Sequence, residues 1–312
     1  MSKVAVIGAG FVGSTSAYAM MLQGTCSEIV LLDMDEQRAA AEAADIAHGT
    51  PLAYGTRVRA GGYSDLKGAS VVVIAAGSNQ KPGESRLDLL ARNAKIFAAI
   101  VPQVVAVSPK AVLVIASNPV DIMTAVTKAL HPHPERVLGS GTILDSARFR
   151  QLVAEKAQVS AKHVNAYVVG EHGDSSVCCW SSTIIGGLQV DTYMKERGFS
   201  WTDADKKNIE SSVRGAAGAI IAGKKATYYG IGVGVAKIVE MILGDRRGVY
   251  TVATTSLVDD VCLSLPCVIG AGGVQARLMS QLNHDETIAL ARSAEILLNA
   301  QEGVLKDGKL II

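Results

Sequence analysis

One short segment near the start of the chain narrows its possible folds more than any other. Lys3 to Ile7 reads as a buried strand, Gly8-Ala9-Gly10-Phe11-Val12-Gly13 follows at once, and Ser14 to Leu22 has a helical pattern. A second apolar strand, Glu28 to Leu32, ends at Asp33, 20 residues past Gly13. In such a strand–turn–helix unit each glycine has its own reason. Gly8 makes the tight turn, Gly10 lets a pyrophosphate reach the backbone, and Gly13 lets helix and strand pack closely. The positive end of the helix favours the phosphate charge. The Asp33 carboxylate would accept hydrogen bonds from ribose hydroxyls and repel a 2′-phosphate, so a dinucleotide site of NAD type is expected rather than NADP.

Strand and helix patterns then alternate. Asp35 to His48 reads as helix, Val71 to Ala75 as a strand running into Ala76-Gly77-Ser78, and Ala91 to Ala106 as helix. Val112 to Ala116 reads as a strand ending in Ser117-Asn118-Pro119, Val120 to Leu130 as helix, and Val137-Leu138 as a strand before Gly139-Ser140-Gly141. Continuous apolar strands separated by helices indicate a doubly wound parallel sheet of Rossmann type, with its ligand beyond the carboxyl ends of the strands. The candidate cofactor contacts are Gly8, Gly10, Phe11, Val12, Gly13, Asp33, Arg38, Tyr63, Gly77, Ser78, Ala116, Asn118 and Ser140.

The second half changes character. Ile143 to Ala157 is helical and Val164 to Val169 a strand. Asp203 to Gly244 is one long helix or a pair broken near Thr227 to Gly234. Tyr250-Thr251-Val252 and Val261 to Ile269 look like antiparallel strands, and Glu286 to Ala300 is a closing helix. The expected organisation is an NAD-binding domain over 1–142 and an α+β catalytic or substrate domain over 143–312, with a cleft between them.

A net charge of +1 and a pI near 7.6 leave no basic footprint for nucleic acid. No apolar run reaches membrane-spanning length, and the N-terminus lacks the charged and apolar regions of a secretory signal. The five cysteines show no C-x-x-C spacing, which suits reduced thiols and no metal site. A cytoplasmic protein is expected. The tract His131-Pro132-His133-Pro134 suggests metal at first sight, but its alternating prolines hold it extended and it reads as a surface loop.

Val168-Val169-Gly170-Glu171-His172-Gly173-Asp174 puts a histidine on a Gly-bracketed loop at a strand end. Imidazole titrates near neutrality and suits proton transfer. Beside NAD, such a group implies alcohol–ketone redox chemistry, in which hydride leaves a carbinol carbon as the base takes the hydroxyl proton. The imidazole then needs a carboxylate on its other nitrogen, and Asp145 is the candidate. Arg148, three residues on, would grip a substrate carboxylate; the alternative is an ordinary helix-surface ion pair. Arg86, at the end of the polar segment from Ser78, would stabilise charge developing on a carbonyl oxygen if that segment is a mobile lid; the alternative is a solvated loop.

With these motifs in view the chain resembles the L-lactate/malate dehydrogenase family, from Val4 to about Asn299. The resemblance rests on Gly8–Gly13, Asn79-Gln80-Lys81-Pro82-Gly83-Glu84-Ser85-Arg86, Ser117-Asn118-Pro119-Val120-Asp121, Leu144-Asp145-Ser146-Ala147-Arg148-Phe149-Arg150, Gly170–Asp174 and Ala226-Thr227-Tyr228-Tyr229-Gly230. It implies His172 as proton donor and acceptor, Asp145 as its partner, and Arg148 on the substrate carboxylate. It also implies Arg86 on a closing lid, Asn118 at substrate and nicotinamide, and a homotetramer, with a dimer next. Gln80 is the implied selector: family members acting on malate carry Arg there, whereas a neutral amide cannot pair a second carboxylate. With the small Thr227, this implies pyruvate/lactate over oxaloacetate/malate. Arg150 matches an Arg of the family's fructose 1,6-bisphosphate site, but Asn165 stands where a His is usual, so activation is expected to be weak or lost. A non-catalytic NAD sensor is the remaining alternative from another class.

Overall fold

The computed structural model describes residues 2–78, 86–256, 260–279 and 281–311, and of Arg86 only the backbone. Apart from the edge strand Arg57–Ala60, the first strands are buried along nearly their whole length, as a sheet covered on both faces requires. They are β1 (Lys3–Ile7), β2 (Glu28–Leu32), β3 (Arg57–Ala60), β4 (Val71–Ile74), β5 (Val112–Ile115) and β6 (Val137–Gly139). Their spatial order is β3-β2-β1-β4-β5-β6, all parallel. Between them run α1 (Phe11–Gln23), α2 (Glu36–Gly49), α3 (Arg86–Val107) and α4 (Val120–Leu130). This is the doubly wound sheet expected from the alternation, with its order reversing at β1/β4. The short Arg57–Ala60 strand escaped the pattern reading, because four residues with two arginines carry little apolar signal.

By length and composition, Leu87–Val107 could cross a membrane, contrary to the reading that no run is long enough. Here its apolar side is used by the protein itself: Leu90, Ala94, Phe97, Val101 and Val104 are buried in the core of the sheet.

The second half contains α5 (Ile143–Ala157), β7 (Val164–Asn165), β8 (Val168–Val169), β9 (Val177–Cys178), β10 (Ile184–Ile185), β11 (Leu188–Gln189) and α6 (Val190–Glu196). It continues with α7 (Asp203–Lys224), α8 (Tyr229–Leu243), β12 (Gly248–Thr255), β13 (Cys262–Gly270) and β14 (Gly273–Arg277). It closes with α9 (His284–Glu302) and the hairpin β15 (Leu305–Lys306) and β16 (Lys309–Leu310). A separate core gathers Phe149, Val153, Val164, Met194, Ile209 and Val213, with Phe149 edge-on to Trp180 at 4.6 Å.

The expected antiparallel strands pair, β12 with β13, and β12 also pairs with β6, so β12, β13 and β14 extend the parallel sheet to nine strands. Two expectations change in detail. The strand expected over Val164–Val169 is split; β7 joins β10 and β8 joins β9, in different sheets. The long helix breaks at Lys225–Tyr228, ahead of the glycines. Gly230, Gly232 and Gly234 lie inside α8, where added Cβ atoms would meet Leu144, Thr15 and Ile143. These glycines therefore let α8 pack closely against α1 and α5; they do not interrupt it.

His131 also differs from expectation. It is buried rather than on a surface loop, and its Nδ1 accepts the His133 N–H at 2.9 Å.

Candidate active site

The carboxyl edge of the parallel sheet collects most of the expected cofactor residues. An added Cβ on Gly13 would overlap the Gly8 carbonyl, so only glycine permits this approach of α1 to the first turn. At Gly10 a Cβ would meet nothing within 4 Å, which leaves the backbone open to a ligand. No acidic residue lies in the first turn of α1, so nothing there competes for the helix's positive end. Asp33 Oδ2 accepts the Ala9 N–H at 2.7 Å and Oδ1 the Asp35 N–H at 3.0 Å. This carboxylate thus braces the glycine turn as well as facing the cleft.

That cleft, about 830 Å³, is lined among others by Gly8, Gly10, Asp33, Arg38 and Tyr63, with Ala60, Ile96 and Ile100 as apolar walls. Its form suits one end of an extended dinucleotide: an apolar slot for a base beside an acidic group for a ribose. Phe11 is exposed at the start of α1 and stacks on Tyr228 at 5.0 Å. This brings the Thr227 segment, between α7 and α8, beside the cofactor turn. Ser140 is buried, with its N–H on the Ile115 carbonyl. Ala116 follows β5 with its N–H on the Ile74 carbonyl.

Asn93 was not anticipated. It is buried on α3, and its Oδ1 accepts from the Ser78 N–H at 3.0 Å while its Nδ2 donates to the Asn118 carbonyl at 3.0 Å. One amide thereby ties the loop after β4 to the loop after β5, and so holds two expected contacts, Ser78 and Asn118. Nothing in the local sequence marks this, because Asn93 lies in a helix and its partners are remote in the chain.

The histidine loop is held from four directions. Gly170 and Ser264 on β13 exchange N–H···O bonds of 2.9 Å each way. Gly170 has φ +86, a conformation L residues rarely adopt, and a Cβ there would strike Ser293 Oγ. Ser293, fully buried on α9, accepts the Glu171 N–H at 2.8 Å. Asp121, in the first turn of α4, accepts the His172 main-chain N–H through Oδ2 at 2.8 Å. Finally, His172 Nδ1 donates to Asp145 Oδ2 at 2.6 Å. Asp121 and Ser293 were also missed as parts of the site.

The Asp145 carboxylate is shared. Its Oδ1 accepts from Arg148 Nη1 at 3.0 Å, across the three-residue spacing on α5. The alternatives raised for Arg148 therefore merge: it is an ion pair, but a largely buried one, its side chain 15% exposed, beside the imidazole. Burial favours neutral imidazole, yet the hydrogen bond and charge of Asp145, with the charge of Asp121, outweigh it and hold the His172 pKa above its ordinary value. Burial also favours the acid form of Asp145, but the His172 hydrogen bond and the charges of His172 and Arg148 prevail and lower its pKa. At Asp121 burial outweighs the His172 N–H and the His172 charge, and pushes the pKa up to about 7.

Gln80 lies outside the described residues, as does the side chain of Arg86, whose backbone opens α3. Arg150 donates through Nε to the Ala166 carbonyl at 2.8 Å and lies over the Tyr167 ring, next to the exposed Asn165.

Known proteins resemble this chain over nearly its whole length. Residues 2–139 match the model of the lactate/malate dehydrogenase NAD binding domain, and residues 142–307 that of the same family's alpha/beta C-terminal domain. An L-lactate dehydrogenase of Thermus aquaticus is 52% identical over 303 residues, covering 96% of this chain and 98% of the relative. One of Deinococcus radiodurans is 51% identical over 295 residues, covering 95% and 97%. Among solved structures, the minor L-lactate dehydrogenase of Enterococcus mundtii superposes with a TM-score of 0.95 at 36% identity, covering 98% of this chain and 99% of that one. Sequence, sheet order and site geometry lead to one conclusion: the chain belongs to the lactate/malate dehydrogenase family, and its first half is that family's NAD-binding domain.

Proposed function

We propose that the protein is an NAD-dependent L-lactate dehydrogenase that reduces pyruvate reversibly to L-lactate. The observation that carries the reading is the partly buried His172–Asp145–Arg148 group at the carboxyl edge of an NAD-binding sheet. The open backbone at Gly10 and the Asp33 carboxylate in the cleft fit the cofactor, which when bound supplies or accepts the hydride.

His172 gives the carbonyl oxygen its proton through Nε2, which has no partner among the described residues. Asp145 holds the ring by Nδ1, so the tautomer is set and the imidazolium is stabilised. Arg148 has five N–H donors and, among the described residues, spends one on Asp145, leaving others for a bidentate grip on the substrate carboxylate. Arg86 stabilises the carbonyl oxygen as charge develops there, Asn118 orients substrate and nicotinamide, and Thr227 borders the substrate. Gln80 excludes a second carboxylate by offering it no countercharge. Residues 1–142 serve the cofactor and 143–312 the substrate. The working form is a cytoplasmic homotetramer, with activation by fructose 1,6-bisphosphate weak or absent because Asn165 brings no charge beside Arg150.

NADH oxidation with a panel of 2-oxo acids tests the reading. Pyruvate is expected to exceed oxaloacetate in kcat/KM by at least about 100-fold, the discrimination a polar or charged mismatch supplies. Gln80→Arg should move that ratio toward oxaloacetate. Preference of the wild type for oxaloacetate would replace lactate by malate, and no oxidation with any 2-oxo acid would leave a non-catalytic NAD-binding protein.

A further inference from the structure

Asp121 is the buried charge that the proton-transfer scheme leaves unused. It is 2% exposed; one carboxylate oxygen accepts the His172 main-chain N–H, while the other, Oδ1, is buried with no hydrogen-bond partner among the described residues. A buried acceptor left bare costs about 1–3 kcal/mol, and more when charged. An asparagine could supply the single acceptor this backbone N–H needs at no charge cost. An acid kept here therefore points to a use for the charge as well as for the hydrogen bond.

The surroundings say what that use is. The groups facing Asp121 are His172 and Glu171 on the loop, Asp145 on α5 and Cys262 on β13. Arg148 bonds Asp145 and acts against protonation of His172. The position in the first turn of α4 places the carboxylate at the helix end that tolerates negative charge. His172 thus lies between two carboxylates of different function. Asp145 bonds its ring, whereas Asp121 bonds its backbone and reaches the ring only through space.

We propose that Asp121 is a positioning residue for proton transfer by His172, pinning the loop backbone and adding a second negative charge that favours the imidazolium. The inference rests on the proposed role of His172. A pinned backbone fixes where the ring swings from, and the added charge raises the pH up to which His172 still carries the proton it must give.

Asp121→Asn separates the two contributions, because the amide oxygen can still accept the His172 N–H while the charge is lost. With the charge gone, the imidazole pKa falls. In pyruvate reduction, activity then declines at lower pH than in the wild type, by about 0.5–1 unit, or about 3–10-fold in turnover on the falling limb. In lactate oxidation, the rising limb moves the same way. The two proteins should converge in acid, where Asp121 is itself neutral, and diverge as pH rises through about 7. The KM for pyruvate should change less than about twofold, since Asp121 touches no substrate. Asp121→Ala, which also releases the backbone, should lose further turnover at every pH.

The His172 ring is titrated independently by NMR with labelled histidine in the wild type and in Asp121→Asn. A lower ring pKa with a matching shift of the kinetic limb supports the proposal. An unmoved ring pKa overturns it whatever the kinetics. A moved ring pKa with an unmoved kinetic limb overturns the reading of His172 as the proton donor and leaves only the charge coupling. Should Asp121→Ala fail to fold, the isosteric Asn variant still decides.

Discussion

The two ends of this site are built by different means. At the cofactor end the work is done by backbone: glycines at a strand–helix turn, an open helix N-terminus, and one aspartate bracing the turn through the Ala9 N–H. At the proposed proton-transfer end it is done mainly by side chains from α4, α5 and α9, with a main-chain bridge to β13, converging on a loop with no regular structure of its own. A backbone site follows from a contiguous stretch and is robust, because the same hydrogen bonds that make the fold make the site. A side-chain site depends on each remote partner arriving at the right place.

The largest expected effect breaks the second end and spares the first. His172→Ala should cut kcat by at least about 100-fold, the usual contribution of a general acid, while NADH affinity stays within about twofold. Stopped-flow turnover and a fluorescence titration of NADH check both halves. Comparable loss of NADH binding would mean that the two ends are one coupled unit.

The next effect reverses the test. Asp33→Ser should weaken NADH binding and raise the NADPH-to-NADH ratio of kcat/KM by about 10-fold or more, from removal of like charge near a 2′-phosphate. Turnover at saturating cofactor should stay near the wild type. The variant should also lose about 1 kcal/mol of stability in chemical denaturation, since Asp33 bonds two main-chain N–H groups. An unchanged cofactor preference would reduce Asp33 to a brace.

The smallest effect probes a single tether of the loop. Ser293→Ala removes the acceptor of the Glu171 N–H and should cost about 1–2 kcal/mol, with only a few-fold loss of kcat, because Ser264 and Asp121 still hold the loop. A loss as large as that of His172→Ala would show that the loop needs all its tethers at once.

Much of the first end is legible in the chain. The G-x-G-x-x-G turn, the strand before it, the helix after it and Asp33 all lie within about 30 residues, and each is set by local geometry. The expected α5 boundaries, Ile143 to Ala157, match the helix, and its three-residue spacing does put Asp145 and Arg148 together. The histidine was legible as a residue type on a Gly-bracketed loop. Its supports were not, because Asp121, Ser264 and Ser293 lie 51, 92 and 121 positions away, and no local pattern reports a contact made across that distance.

By itself, then, the chain determined the doubly wound sheet, the preference for NAD and the chemical types available for proton and carboxylate handling. These rest on glycine sterics, hydrophobic periodicity and charge, which act over a few residues. Only the tertiary structure decided that the expected Val164–Val169 strand is split between two sheets, that β12–β14 extend the cofactor sheet, and that His172 sits between two carboxylates. Those outcomes depend on which buried groups satisfy one another across the core, and a buried polar atom takes its partner from whatever element packs against it.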